Sequence, residues 1–157
     1  MSDLLLALDN LRKAYNHHDL DALARCFAPG AILVAPDGIG DGREETASYY
    51  AQFIEAFPDT RVTVQTLVET GDILVSEYTI SGTHMGPYLI PGGGLLQPSG
   101  RRIIVRACCL SQVQDGLISS HRIYYDQAEL AAQLGGSLCF DEDLDGDPDG
   151  DPAENRV

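Results

Sequence analysis

The second half of this chain is built from long runs that alternate apolar and polar residues, joined by connections too short to cross over. Ile73 to Thr83, Arg101 to Gln114 and Leu117 to Tyr125 each read as a strand, and Val62, Val64, Thr66 and Val68 open the series. Gly71-Asp72 reads as a turn and Asp115-Gly116 as a tight hairpin. Such short links force antiparallel neighbours, because parallel neighbours need a crossover of about a dozen residues or more. The first part of the chain has the other period. Leu4, Leu8, Leu11 and Tyr15 recur at helix spacing. Asp19 caps a second short helix with Leu20, Leu23 and Phe27 on one face, stopped by Pro29-Gly30. A third helix runs from about Arg43 to Ala56, with Ala47, Tyr50, Ile54 and Phe57 as its buried stripe and Pro58 at its end. Ala31 to Ala35 is a short strand, Pro36 to Gly42 a loop, Met85 to Gly100 a Gly- and Pro-rich loop, and Gln127 to Leu134 a final helix.

Helices first and a meander of long strands after predict an α+β fold. Long antiparallel strands that pair only with neighbours curl. Helices packed inside the curl give a cone-shaped barrel of a strongly curved antiparallel sheet, with one central pocket. The 157 residues, 44% of them hydrophobic, suit one domain over residues 1–138, followed by an acidic flexible tail over residues 139–157. The net charge is -14, and the tail supplies about half of it through eight acids against Arg156. That balance repels nucleic acid and anionic membranes, so neither is expected as a partner. No apolar run approaches the roughly 18 residues of a membrane span, and the opening Met1-Ser2-Asp3 lacks a basic leader, which points to the cytoplasm. Cys26, Cys108, Cys109 and Cys139 form no CxxC pair and read as reduced thiols; the adjacent Cys108 and Cys109 point to opposite faces of a strand.

Several segments, in order, carry a resemblance that covers most of the chain. They are Asp21-Ala22-Leu23-Ala24 with Phe27-Ala28-Pro29-Gly30, then Phe57-Pro58-Asp59, then Ser81-Gly82-Thr83-His84-Met85-Gly86-Pro87, then Pro98-Ser99-Gly100-Arg101. Asp115-Gly116-Leu117-Ile118, Tyr125-Asp126 and Gln133-Leu134-Gly135 complete the set. From Asp19 to Gly135 the chain resembles the SnoaL-like polyketide cyclases of the nuclear-transport-factor-like superfamily. The resemblance implies a cofactor-independent reaction on a poly-carbonyl or multi-ring aromatic substrate, closing a ring by intramolecular aldol addition in secondary-metabolite biosynthesis. It also implies a homo-oligomer, since related folds pair through the exposed face of the sheet. The loop at Pro91-Gly92-Gly93-Gly94 is longer than the family pattern.

On the same resemblance Asp126 stands where the family has its general acid/base. One positioned carboxylate can remove a proton from a carbon flanked by carbonyls and return it to the new alkoxide, provided burial raises its pKa. Asp126 also precedes a helix with Glu129 three residues on, the pattern of a capping box. A carboxylate that accepts backbone N–H bonds is held ionised, which opposes the base role. Alternation puts Arg122 and Tyr124 on the face of Asp126 and His121 on the other, unless a bulge intervenes. Tyr124 is a candidate donor to an enolate oxygen, and Arg122 a candidate partner of a substrate carboxylate or phenolate. His84, at a strand end, is a candidate for the pocket mouth. Tyr15, at the end of the first helical stripe, is a candidate substrate contact. Arg106 and Gln112 share one face of the third strand and are candidate orienting groups.

This chain departs from the family in its third strand, Ala107-Cys108-Cys109-Leu110-Ser111-Gln112, which has no His to assist the Asp. The departure keeps two other readings open. One is a tailoring enzyme of the same fold that assists hydroxylation, isomerisation or epoxide opening, with a reductase partner. The other is a non-catalytic small-molecule-binding module in which Asp126 is a cap. Asp141-Glu142-Asp143-Leu144-Asp145-Gly146 opens like a calcium loop, but Pro152 stands where the bidentate Glu belongs. The four histidines make no ligand spacing, so no metal site is expected.

Overall fold

The computed structural model describes residues 1–90 and 93–137. Helices α1 (Asp3–Asn16) and α2 (Leu20–Arg25) come first. Ser2 caps α1 by accepting the Leu5 N–H at 3.1 Å, and Asp19 caps α2 by accepting the Ala22 N–H at 2.9 Å. Between them His18 turns the chain in the left-handed region, with φ of 56°. Strands β1 (Phe27–Ala35) and β2 (Gly38–Asp41) form a hairpin that leads into α3 (Gly42–Ala56). The long strands follow: β3 (Arg61–Thr70), β4 (Ile73–Thr83), β7 (Arg102–Gln114) and β8 (Leu117–Tyr125), with a two-residue pair β5 (Tyr88–Leu89) and β6 (Leu95–Leu96) inside the connection from β4 to β7. Helix α4 (Gln127–Gln133) closes the described fold.

The fold is α+β, and its main sheet has six strands in the order β2-β1-β8-β7-β4-β3. The expected meander is there: β3–β4, β4–β7 and β7–β8 are antiparallel. Asp115 and Gly116 both take positive φ, 52° and 75°, as a two-residue hairpin that follows the strand twist demands. Two features correct the sequence reading. Residues 38–41, read as loop, form the edge strand β2. The sheet is also not wholly antiparallel, because β1 pairs β8 in parallel, Leu33 opposite His121. It stays open at β2 and β3, so the curved sheet is not a closed barrel.

Alternation assigns the two faces. On β7, Ile103, Val105, Ala107, Cys109, Ser111 and Val113 are buried, while Arg102, Ile104 and Arg106 between them are exposed. Cys109 therefore faces the helices and Cys108 the other side, as the adjacent pair required. Leu8, Leu11, Tyr15, Leu23 and Phe27 meet Leu74, Val113 and Ile118 in one cluster beneath α1. A second cluster joins Phe57, Tyr88, Ile103, Val105, Leu130 and Leu134. The outer face carries a cross-strand row of Val68, Val75, Leu110, Arg122, Val34 and Ile39, each paired with the next. Val68, Val34 and Ile39 in that row are exposed.

The connection from β4 to β7 is strapped down. The His84 N–H donates to the Arg101 carbonyl at 2.9 Å and the Gly100 N–H to the His84 carbonyl at 2.9 Å. Met85 and Gly86 donate to the Ala56 carbonyl at the end of α3, at 3.0 and 3.1 Å. A Cβ on Gly86 would stand 2.2 Å from the Glu55 carbonyl oxygen, so only glycine permits this approach. No helix among the described residues is long and apolar enough to cross a membrane.

Candidate active site

The inner face of the sheet and helices α1, α3 and α4 enclose a cavity of about 840 Å³ of atom-free space, its open mouth included. Leu8, Leu11 and Tyr15 of α1 and Tyr49, Tyr50 and Phe53 of α3 line one side. Tyr78, Cys109, His121, Ile123 and Tyr125 of the sheet line the other. The walls are apolar, and their polar atoms are few.

His121 is the most distinctive of these. It is 2% exposed, packed edge-on to Phe27 at 5.9 Å and tilted against Tyr50 at 6.4 Å. Its Nδ1 is paired with Ser111 Oγ at 2.8 Å, both on the inner face of adjoining strands β8 and β7. Burial pushes its pKa down to about 4, so the ring is neutral near pH 7. With Nδ1 engaged, Nε2 is the ring atom it can offer a guest; the Ser111 hydroxyl can donate to or accept from Nδ1, so either neutral tautomer satisfies the pair.

Tyrosine hydroxyls supply most of the remaining polarity. Tyr15 and Thr60 are hydrogen-bonded at 2.8 Å in the interior. Burial pushes Tyr15, Tyr50 and Tyr78 well above the ordinary tyrosine range. Burial, then the Asp37 carboxylate, does the same to Tyr49. In Tyr125 burial acts first, then the hydroxyl of Tyr88 and the charge of Asp37. All of these groups keep their protons at neutral pH and are hydrogen-bond donors. Next to the cavity lies a vestibule bordered by Asp37, Gln52, Tyr88 and Ile90, which shares Tyr49 and Phe53 with it. The Tyr49 hydroxyl donates to Asp37 Oδ1 at 2.9 Å.

Of the residues singled out in the sequence, Tyr15 lines the cavity, with its hydroxyl already bonded to Thr60. Asp126 is exposed and outside the cavity: it is the N-cap of α4, accepting the Ala128 N–H at 2.8 Å and the Glu129 N–H at 3.1 Å. The strand ends one residue before it, so the face count does not extend to its side chain. Arg122 and Tyr124 share the outer face, Tyr124 at 53% exposure, and neither lines the cavity. Arg106 also points outward, its guanidinium 3.9 Å from Glu129, and Gln112 stands on that face within 3.5 Å of Asp72. His84 is fully buried away from the cavity. Its Nδ1 accepts the Ser99 N–H at 3.2 Å and pairs with Ser99 Oγ at 2.9 Å, which locks the strap. Its Nε2 has no partner among the described residues.

His121, Ser111, Tyr49, Tyr125 and Asp37 were not among the sequence candidates. The signal for His121 was available: Arg122 is charged, so its face of β8 is the wet one, and His121, Ile123 and Tyr125 turn inward. Among the described residues no group of three or more His, Cys, Asp or Glu side chains is arranged to hold a metal ion. The calcium-like segment after Phe140 lies outside the described residues.

The fold is shared with solved structures. The hydroxylase proposed for AclR of Streptomyces galilaeus superposes with a TM-score of 0.74 at 21% identity, over 86% of this chain and 82% of that one. IdmH of Streptomyces antibioticus, a proposed polyketide cyclase, gives 0.69 at 29% identity over 84% and 98%. TsrD of Streptomyces laurentii gives 0.72 at 28% identity over 85% and 95%. Among curated protein sequences none matches this chain. The family model for SnoaL-like polyketide cyclase matches residues 5–134, nearly the whole of the described fold. The chain belongs to the SnoaL-like polyketide cyclase family.

Proposed function

We propose that this protein closes a ring of a poly-carbonyl or multi-ring substrate by intramolecular aldol addition, without a cofactor, and that His121 meets a substrate oxygen in the cavity. The observation that carries this reading is His121, paired with Ser111 at 2.8 Å, on the wall of a mostly apolar cavity. A neutral imidazole whose Nδ1 accepts from the Ser111 hydroxyl carries its proton on Nε2 and polarises a carbonyl without adding a cation to the site. Protonated tyrosines around it offer further donors to an enolate oxygen. IdmH, of similar size and 29% identical, supports the cyclase assignment. Asp126 enters this reading as a cap rather than the acid/base that the family resemblance implied.

The test is a purified-protein assay with a poly-carbonyl substrate, without nicotinamide, flavin or added metal. A cyclised product from the wild type, and a loss of about 10²-fold or more in His121→Phe, is the expected result. Product that forms only with NAD(P)H, oxygen and a reductase overturns it in favour of the tailoring reading. One observation favours that second reading: among the described residues no carboxylate lines the inner cavity. The exposed apolar residues of the outer sheet face support self-association as well, two copies meeting across the row that contains Leu110.

A further inference from the structure

We propose that Asp37 is the group that takes and returns the proton in this cavity's reaction, with Tyr49 as its positioning residue. The inference rests on the ring-closing reading above. Asp37 sits in the two-residue turn between β1 and β2, where the pairing of Ala35 with Gly38 fixes its backbone. Three further elements converge on it. Tyr49 of α3 donates to Oδ1 at 2.9 Å, and the hydroxyls of Tyr125 at the end of β8 and Tyr88 of β5 lie close enough to feel its charge. Tyr49 and Tyr125 also line the inner cavity. Among the described residues Asp37 is the only carboxylate bordering either the cavity or the vestibule. A guest that extends from His121 past Tyr49 and Phe53 into the vestibule therefore meets one carboxylate, exposed on its solvent side and held by a hydroxyl of the cavity wall.

The other groups of the site are poorly suited to take a proton. The tyrosines already carry theirs. His121 would become a buried cation between Phe27 and Tyr50, which burial opposes. A carboxylate is an acceptor with two oxygens, and the Tyr49 hydroxyl engages Oδ1 of Asp37. The step balances without an oxidant or reductant. The C–H bond beside a carbonyl breaks and its proton goes to Asp37 Oδ2; the electron pair becomes the enolate, whose oxygen accepts from Tyr125 or from His121 Nε2–H. The enolate carbon then adds to a second carbonyl carbon and a C–C bond forms. The displaced π pair becomes an alkoxide, which recovers the proton from Asp37.

The probe is 2-tetralone, a flat fused bicyclic ketone with an exchangeable C–H beside its carbonyl. Binding to the full chain is followed by NMR shifts, and C–H exchange with D2O by loss of the proton signal. Wild type is expected to bind and to accelerate exchange. Asp37→Asn is expected to bind equally well and to lose about 10²-fold or more of the acceleration, with Asp37→Glu restoring part. Tyr49→Phe is expected to lower the exchange rate while leaving the binding constant in place, the split that a purely packing role would not give. Exchange that survives in Asp37→Asn overturns the assignment and leaves the ring-closing reading standing. A wild type that binds without accelerating exchange overturns proton transfer by Asp37 in this site. A wild type that does not bind the probe overturns both the assignment and the cavity reading beneath it.

Discussion

His121 should make this protein sensitive to mild acid, in a direction and amount set by its burial. The folded chain holds its pKa down at about 4, against an ordinary value of 6.5 for the unfolded chain. Between those values the unfolded chain binds a proton that the folded chain refuses. Stability therefore falls as pH drops from about 6.5 to about 4, and His121 costs nothing above that window. At roughly 1.4 kcal/mol per pH unit the loss from this one ring is about 3 kcal/mol, a sizeable part of the roughly 5–15 kcal/mol that holds a domain together. The perturbation is His121→Asn, whose amide can still reach Ser111 Oγ but does not titrate. Urea unfolding of both proteins from about pH 7.5 to about pH 4 gives two curves. The lost ring packing against Phe27 and Tyr50 shifts the variant by a constant, whereas the titration bends only the wild type. Asp9 and Asp59, held low by their hydrogen bonds, lose their contribution at lower pH and in both proteins alike, so they cancel in the difference. The gap between the two proteins should change by about 3 kcal/mol in favour of the variant on acidification. Parallel curves would refute the reasoning, because they would mean that His121 takes up its proton equally well folded and unfolded.

Asp126→Ala removes the acceptor of two N–H groups at the start of α4 and is expected to cost about 1 kcal/mol, or about 2–4 °C in thermal melting for a chain of this size. Asp126→Asn caps equally well and should keep both stability and turnover; a folded Asn variant without turnover would return the acid/base role to Asp126. Leu110→Lys, in the outer cross-strand row between Val75 and Arg122, is expected to halve the particle mass in light scattering while the fold persists. A wild type that is already monomeric would refute that pairing.

The local pattern of this chain was highly legible. Helix stripes, caps, the Asp115-Gly116 hairpin and the long strands all follow from neighbouring residues, and their boundaries largely coincide with the elements seen. What was not legible is pairing between distant segments. Nothing near Leu33 announces that His121 will lie beside it, and a four-residue strand with two glycines at residues 38–41 looks like a loop. The candidate site suffered from the same cause. Asp126 carries the motif of the family's acid/base, yet the helix that follows engages its carboxylate as a cap. Alternation correctly separated Arg122 and Tyr124 from His121, but which face is wet depends on what packs against the strand. Asp37 reads in sequence as an ordinary turn residue; only the arrival of Tyr49 from α3 distinguishes it.

The parallel contact of β1 with β8 also bears on how the molecule reaches its native state. These strands are separated by most of the described chain, so the contact has a high sequence separation and a correspondingly large loop-closure cost. The β3–β4–β7–β8 meander has mostly near-neighbour contacts and can form early. The β1–β2 hairpin must wait for β8, and until then Ile32, Leu33 and Val34 present an unpaired apolar edge. During synthesis that edge leaves the ribosome long before its partner, which makes the interval before β8 emerges the period when this chain is most exposed to aggregation and most dependent on chaperones.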